Sequence, residues 1–94
     1  MLLTFTEQSK IYDILVRNKL LDRKIYFDDV SFSTDMESKM KDLEYVYLPS
    51  NHYTYMGIIV SIDGKEYKIG DISPIAITLI YLKLQKYERE YNND

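Results

Sequence analysis

Cysteine and tryptophan are both absent from this 94-residue chain. Without thiols there is no disulfide framework, no thiolate metal site and no cysteine nucleophile. Histidine occurs once, at His52, so no second imidazole can help complete a zinc site. In a turn after Pro49 it reads as a solvated side chain. Glycine occurs three times and proline twice. Gly57, Gly64 and Gly70 lack the spacing of a phosphate-binding loop. No apolar run approaches the roughly 18 residues of a membrane span. No secretory h-region follows Met1, because Thr4, Thr6, Glu7 and Gln8 interrupt at once. The expectation is a soluble, cytoplasmic protein, one that could work inside an infected host, without cofactor, metal or membrane segment.

Charge is balanced toward acid, at −3 with a pI near 5.1. That disfavours unaided nucleic-acid binding, which draws its affinity from clustered Lys and Arg. The ten tyrosines are the compositional excess. Plentiful Ile, Tyr, Lys and Asp beside a single alanine (Ala76) suggest an AT-rich gene, as in low-GC bacteria, their phages or some archaeal viruses. The length predicts one domain, residues 1–94. Its folded surface should be roughly 5,700 Å², against about 16,000 Å² when extended, enough burial for one core.

Local signals predict an α+β fold. Thr4 and Glu7 fit a capping box, and Ile11, Ile14, Leu15 and Leu20 follow at helical spacing, giving a helix over about 6–20. Lys24 to Phe32 is strand-like, with Ile25 and Phe27 on one side and a bulge at Asp28-Asp29. Thr34 and Glu37 form a second capping box for a helix over about 35–43. Tyr45, Val46 and Tyr47 favour a strand. Asp63-Gly64 suits a type I′ turn between the alternating runs 54–62 and 65–70. That hairpin pairs Ile62 with Lys65, Val60 with Tyr67, Ile58 with Ile69, Ile59 with Lys68 and Gly57 with Gly70. Ser73-Pro74 marks the start of a helix over about 74–91. The architecture is an antiparallel sheet of three or four strands with helices packed mainly on one face. The expected core is Ile11, Ile14, Leu15, Phe27, Met40, Leu43, Met56, Ile58, Val60, Ile69, Ile77, Ile80 and Leu84.

The last helix carries apolar residues on two sides. At about 100° per residue, Ile77, Ile80, Leu84, Tyr87 and Tyr91 form one stripe. Ile75, Leu79 and Leu82 lie opposite. Either the helix is sandwiched inside the domain, or the second stripe docks on another copy of the chain. The second alternative makes Ile75, Leu79 and Leu82 the expected interface of a homodimer, since monomers avoid such exposed patches.

No catalytic set is present. Asp28, Asp29 and Asp35 are the only carboxylates that suggest a metal-dependent enzyme, and strand geometry would send adjacent side chains to opposite faces. The acidic residues Asp28, Asp29, Asp35 and Glu37, with Tyr45, Tyr47, Tyr53 and Tyr55, are the expected partner-binding surface. Tyrosine buries much area at little rotamer cost. These features suggest a non-enzymatic binder of a protein partner, acting as a homodimer. A phage or mobile-element product that inhibits a host defence or nucleic-acid-processing protein fits that profile. The order helix, strand, helix, hairpin, long C-terminal helix also resembles winged-helix DNA-binding regulators. That resemblance implies a recognition helix at Glu44 to Tyr55 and dimerisation through the last helix.

Overall fold

The computed structural model describes residues 2–27 and 42–91, with side chains from Thr6 onward. In chain order these residues form α1 (Leu2–Arg17), β1 (Lys24–Tyr26), β2 (Leu43–Tyr47), β3 (Ile59–Ile62), β4 (Lys65–Lys68) and α2 (Pro74–Tyr91). Single 3-10 turns lie at Tyr55–Gly57 and Ile69–Asp71. The sheet is an antiparallel meander in the order β1-β2-β3-β4. The expected helix over 35–43 lies outside the described residues except at its end, where Asp42 is in a turn and Leu43 begins β2.

The β3–β4 turn follows from its dipeptide. Asp63 and Gly64 take φ angles of 54° and 76°, the pair of positive values a type I′ turn requires. The register matches expectation, with Ile62 opposite Lys65, Val60 opposite Tyr67 and Ile59 opposite Lys68. The Ile69 amide donates to the Ile58 carbonyl at 2.9 Å, which prolongs the pairing by one position. Gly57 and Gly70 do not pair, since each belongs to a 3-10 turn. Before β3 the Gly57 amide instead donates to the Thr54 carbonyl at 2.9 Å. This turn ends the period-two alternation, so Met56 is 58% exposed rather than in the core.

The helix ends are set by local chemistry. Ser73 caps α2, its hydroxyl accepting from the Ala76 amide at 3.2 Å, and Pro74 opens the helix where no N–H is needed. α1 begins at Leu2, so Thr4 lies inside the helix rather than capping it. α1 ends in a Schellman motif, with the Leu20 amide on the Leu15 carbonyl and the Lys19 amide on that of Val16. Lys19 occupies the left-handed position with φ 57°. Leu15 and Leu20 both enter the core.

Both helices lie against one face of the sheet. Ile11, Ile14 and Leu15 of α1 and Ile77, Ile80 and Leu84 of α2 share one cluster with Ile25, Val46, Val60 and Ile69. Phe27, Leu43 and Ile58 are buried as expected, Leu48 is also buried, and Met40 lies outside the described residues. The helices run in the same direction. Arg17 and Asn18 meet Glu88, and Lys10 lies over the Tyr81 ring at 5.2 Å. The Cα radius of gyration is 12.2 Å, close to the roughly 12 Å expected of a compact domain this long.

The buried surface of α2 is one broad arc rather than two opposed stripes. It runs from Leu79 through Lys83, Ala76, Ile80 and Leu84 to Ile77. Leu79 is 1% exposed within a single copy. The homodimer interface expected at Ile75, Leu79 and Leu82 therefore loses its middle residue. α1 lies along the Tyr81 and Glu88 side of α2, while the Phe27 ring sits 5.8 Å from the Lys83 ammonium. Ile75 stays exposed at 49% and Leu82 is half-buried.

Candidate binding face

The register sorts the sheet into two faces, because successive side chains alternate. Ile25, Val46 and Val60 point toward the helices. Two rows point the other way. One is Tyr26, Tyr45, Ser61 and Glu66; the other is Lys24, Tyr47, Ile59 and Lys68. Tyr26, Lys24, Glu66 and Lys68 are exposed at the margins of these rows, Tyr47 and Ile59 are half-buried, and Tyr45 and Ser61 between them are buried.

Tyr45 is the centre of the first row. Tyr26 meets its ring edge-on, with centroids 5.4 Å apart and planes at 61°. The Lys24 ammonium stands 4.6 Å above the Tyr45 ring. The Tyr45 hydroxyl donates to the Glu66 carboxylate, reaching across β3. That carboxylate holds the phenol's pKa above its ordinary value, so Tyr45 remains a donor. The Lys24 ammonium is raised by Tyr45 first and Glu66 further off. Beside them the Ser61 hydroxyl donates to Glu44 at 2.8 Å. Glu44 sits at the register shift between Leu43 and Tyr45. The bulge expected at Asp28-Asp29 lies outside the described residues.

The second row leads into a groove of about 350 Å³ that includes His52, Met56, Gly57, Ile59, Tyr67 and Lys68. Its shape depends on Gly57. A Cβ there would stand 2.2 Å from His52 Cβ, so only glycine lets the histidine lie on the backbone. On the far side of Tyr47, Asp22 fixes the loop before β1. Its carboxylate accepts the Ser50 amide at 2.8 Å. Ser50 holds the Asp22 carboxyl below its usual range, first through its side chain and then through its amide.

The tyrosines expected to act together separate. Tyr45 and Tyr47 share the outer face. Tyr53 is 74% exposed on the loop, where its carbonyl accepts from the Tyr12 hydroxyl at 2.9 Å. Tyr55 packs against the core. Asp28, Asp29, Asp35 and Glu37 lie outside the described residues. Tyr26, Lys24, Glu66 and Lys68 join the face although none was expected on the partner-binding surface; the signal was their strand phase relative to Ile25 and Val60. Glu44 to Tyr55, where a winged-helix fold would need its recognition helix, holds β2, turns and the start of a 3-10 turn. Among the described residues no group of three His, Cys, Asp or Glu side chains could hold a metal ion. None of the described helices is long and apolar enough to cross a membrane.

No protein-family profile matches the chain, and no curated protein or solved structure matches it.

Proposed function

We propose that this protein is a binding module that docks a protein partner on the outer face of its sheet, and that it acts as a homodimer. The observation that carries this reading is the aromatic row on the outer sheet face, where Tyr26 is 53% exposed and Tyr47 half-buried around a buried Tyr45. Rigid amphipathic rings with charges of both signs nearby, Lys24 and Glu66, suit recognition of a mixed polar and apolar surface. Blocking a host protein is the form of binding that the acidic, tyrosine-rich composition favours.

The test is affinity capture from the native host with the wild-type chain and with the double variant Tyr26→Ala/Tyr47→Ala. Tyr26 is 53% exposed, so its truncation leaves the core intact. The expected result is a partner retained by the wild type, purified, and bound at least about tenfold more weakly by the variant. Equal binding by a folded variant overturns the assignment to this face. If added wild-type chain leaves the purified partner's activity unchanged, the inhibitory form of the proposal falls.

A further inference from the structure

The edge strand β4 has the polarity to recognise itself. Its outward backbone groups can be identified from the hairpin. A two-residue loop makes Ile62 and Lys65 a hydrogen-bonded pair, and parity then alternates along the strand. The bond from the Ile69 amide to the Ile58 carbonyl confirms that phase. Lys65, Tyr67 and Ile69 therefore bond toward β3. Glu66 and Lys68 present their N–H and C=O groups at the open edge, and all of β4 is solvent-exposed.

We propose that a second copy of this chain pairs with the free edge of β4, in an antiparallel two-fold ladder centred on Tyr67. It rests on the homodimeric part of the reading above. A symmetric ladder must place like-parity residues opposite one another, so its centre falls on a residue. Centring on Glu66 sets Glu66 against Glu66 of the second copy. Centring on Lys68 sets two lysines together. Like charges directly opposite are destabilising. Centring on Tyr67 sets Glu66 against Lys68 on both sides of the axis. Each such pair exchanges both backbone hydrogen bonds, and opposite charges lie on the same face. Tyr67 meets Tyr67 at the axis, an aromatic cross-strand pair. Beyond the strand ends, the turn at Gly64 of one copy would come near the 3-10 turn at Gly70 of the other, where neither has a Cβ to obstruct approach. Open space surrounds Gly64, and the exposed Met56 stands beside Gly70 with Cε 3.9 Å from where a Cβ would lie.

The absence of native cysteine makes the register directly readable. Across an edge, Tyr67 and its mate form a non-hydrogen-bonded pair with Cα atoms about 4.5 Å apart, within the span a disulfide bridges. Tyr67→Cys should oxidise to a covalent dimer. Glu66→Cys and Lys68→Cys, whose mates lie opposite a different residue, and the loop control Tyr53→Cys should not. Light scattering at tens of micromolar should give the dimer mass for the wild type. Lys68→Glu should weaken self-association at least about tenfold, and Glu66→Lys/Lys68→Glu should restore it. Circular dichroism of each variant confirms folding. A monomeric wild type overturns both the homodimer and the ladder. A dimeric wild type whose Tyr67→Cys variant forms no disulfide, or with equal cross-linking at Tyr53→Cys, overturns the ladder and leaves a homodimer joined elsewhere.

Discussion

Arg17 and Glu88, 71 residues apart, are joined by a two-pronged ion pair at the shared end of two helices that run side by side. Arg17 Nε lies 2.5 Å from Glu88 Oε2 and the terminal nitrogen 2.6 Å from Oε1. Asn18 adds a third donor to Glu88 at 2.7 Å, while also donating to the Ile14 carbonyl. The fork geometry makes this pair stronger than most surface contacts. It also fixes the relative slide of the helices, because a shift of one turn would move the carboxylate about 5 Å.

Glu88→Gln should destabilise the protein by about 0.5 to 1 kcal/mol near neutral pH, the value for a well-formed pair still partly screened by solvent. The pH dependence has a fixed sign. Arg17, then Asn18, holds the Glu88 carboxyl below its ordinary range, against some desolvation. A depressed carboxylate contributes fully above its unfolded value of about 4.3 and loses that contribution as pH falls through the folded value. The difference between wild type and Glu88→Gln should therefore shrink on acidification. Urea midpoints at pH 7 and in strong acid would show it. A gap of equal size at both would mean that the charge contributes nothing.

Lys19→Gly should raise stability by about 0.5 kcal/mol, or a few degrees in melting temperature. The side chain at φ 57° meets a steric cost that glycine avoids, while glycine adds entropy to the unfolded chain. The Schellman bonds from Lys19 and Leu20 use only backbone groups and survive the change. Thermal melts of the two proteins decide it; a lower midpoint for the glycine variant would show that the left-handed turn costs lysine little.

Gly57→Ala should cost about 1 to 3 kcal/mol, the range for an overpacked contact. The nearest atom to the new Cβ is His52 Cβ, which is anchored to the backbone and cannot swing aside like the end of a long chain. A second change, His52→Gly, should recover most of the loss by removing the collision. If Gly57→Ala unfolds at the wild-type denaturant concentration, the close approach is not needed to hold the loop.

The features readable from sequence were those encoded within a few residues. Asp63-Gly64 specifies its turn by backbone preference, and Ser73-Pro74 specifies a helix start by capping. α2 accordingly begins and ends where expected, and the hairpin has the expected register. Features set by tertiary contacts were not readable. The alternation through Thr54, Met56 and Ile58 is a strand pattern, yet the approach of His52 to Gly57 converts it to a turn and sends Met56 outward. The helical start at Leu2 overrides the capping pattern at Thr4. Of the expected face, Tyr45 and Tyr47 follow from strand phase, whereas Tyr53 and Tyr55 were joined to them only by proximity in sequence. Which side of α2 faces inward was also not local information, since it depends on where α1 and Phe27 come to lie.

The last prediction separates the two meanings of the apolar residues on α2. Leu79→Ala should cost about 2 to 5 kcal/mol, as for a large buried side chain truncated inside one copy. Ile75→Ser, at a half-exposed position in the first turn, should stay within about 1 kcal/mol. Neither change touches β4, so Ile75→Ser should leave the light-scattering mass at that of the wild type. If Ile75→Ser instead converts a dimer to a monomer while the fold persists, the second copy docks on the start of α2. The Tyr67-centred ladder then fails, because none of its paired residues is Ile75. A stability loss for Leu79→Ala with no change in mass places that residue's role inside the single chain, as its burial requires.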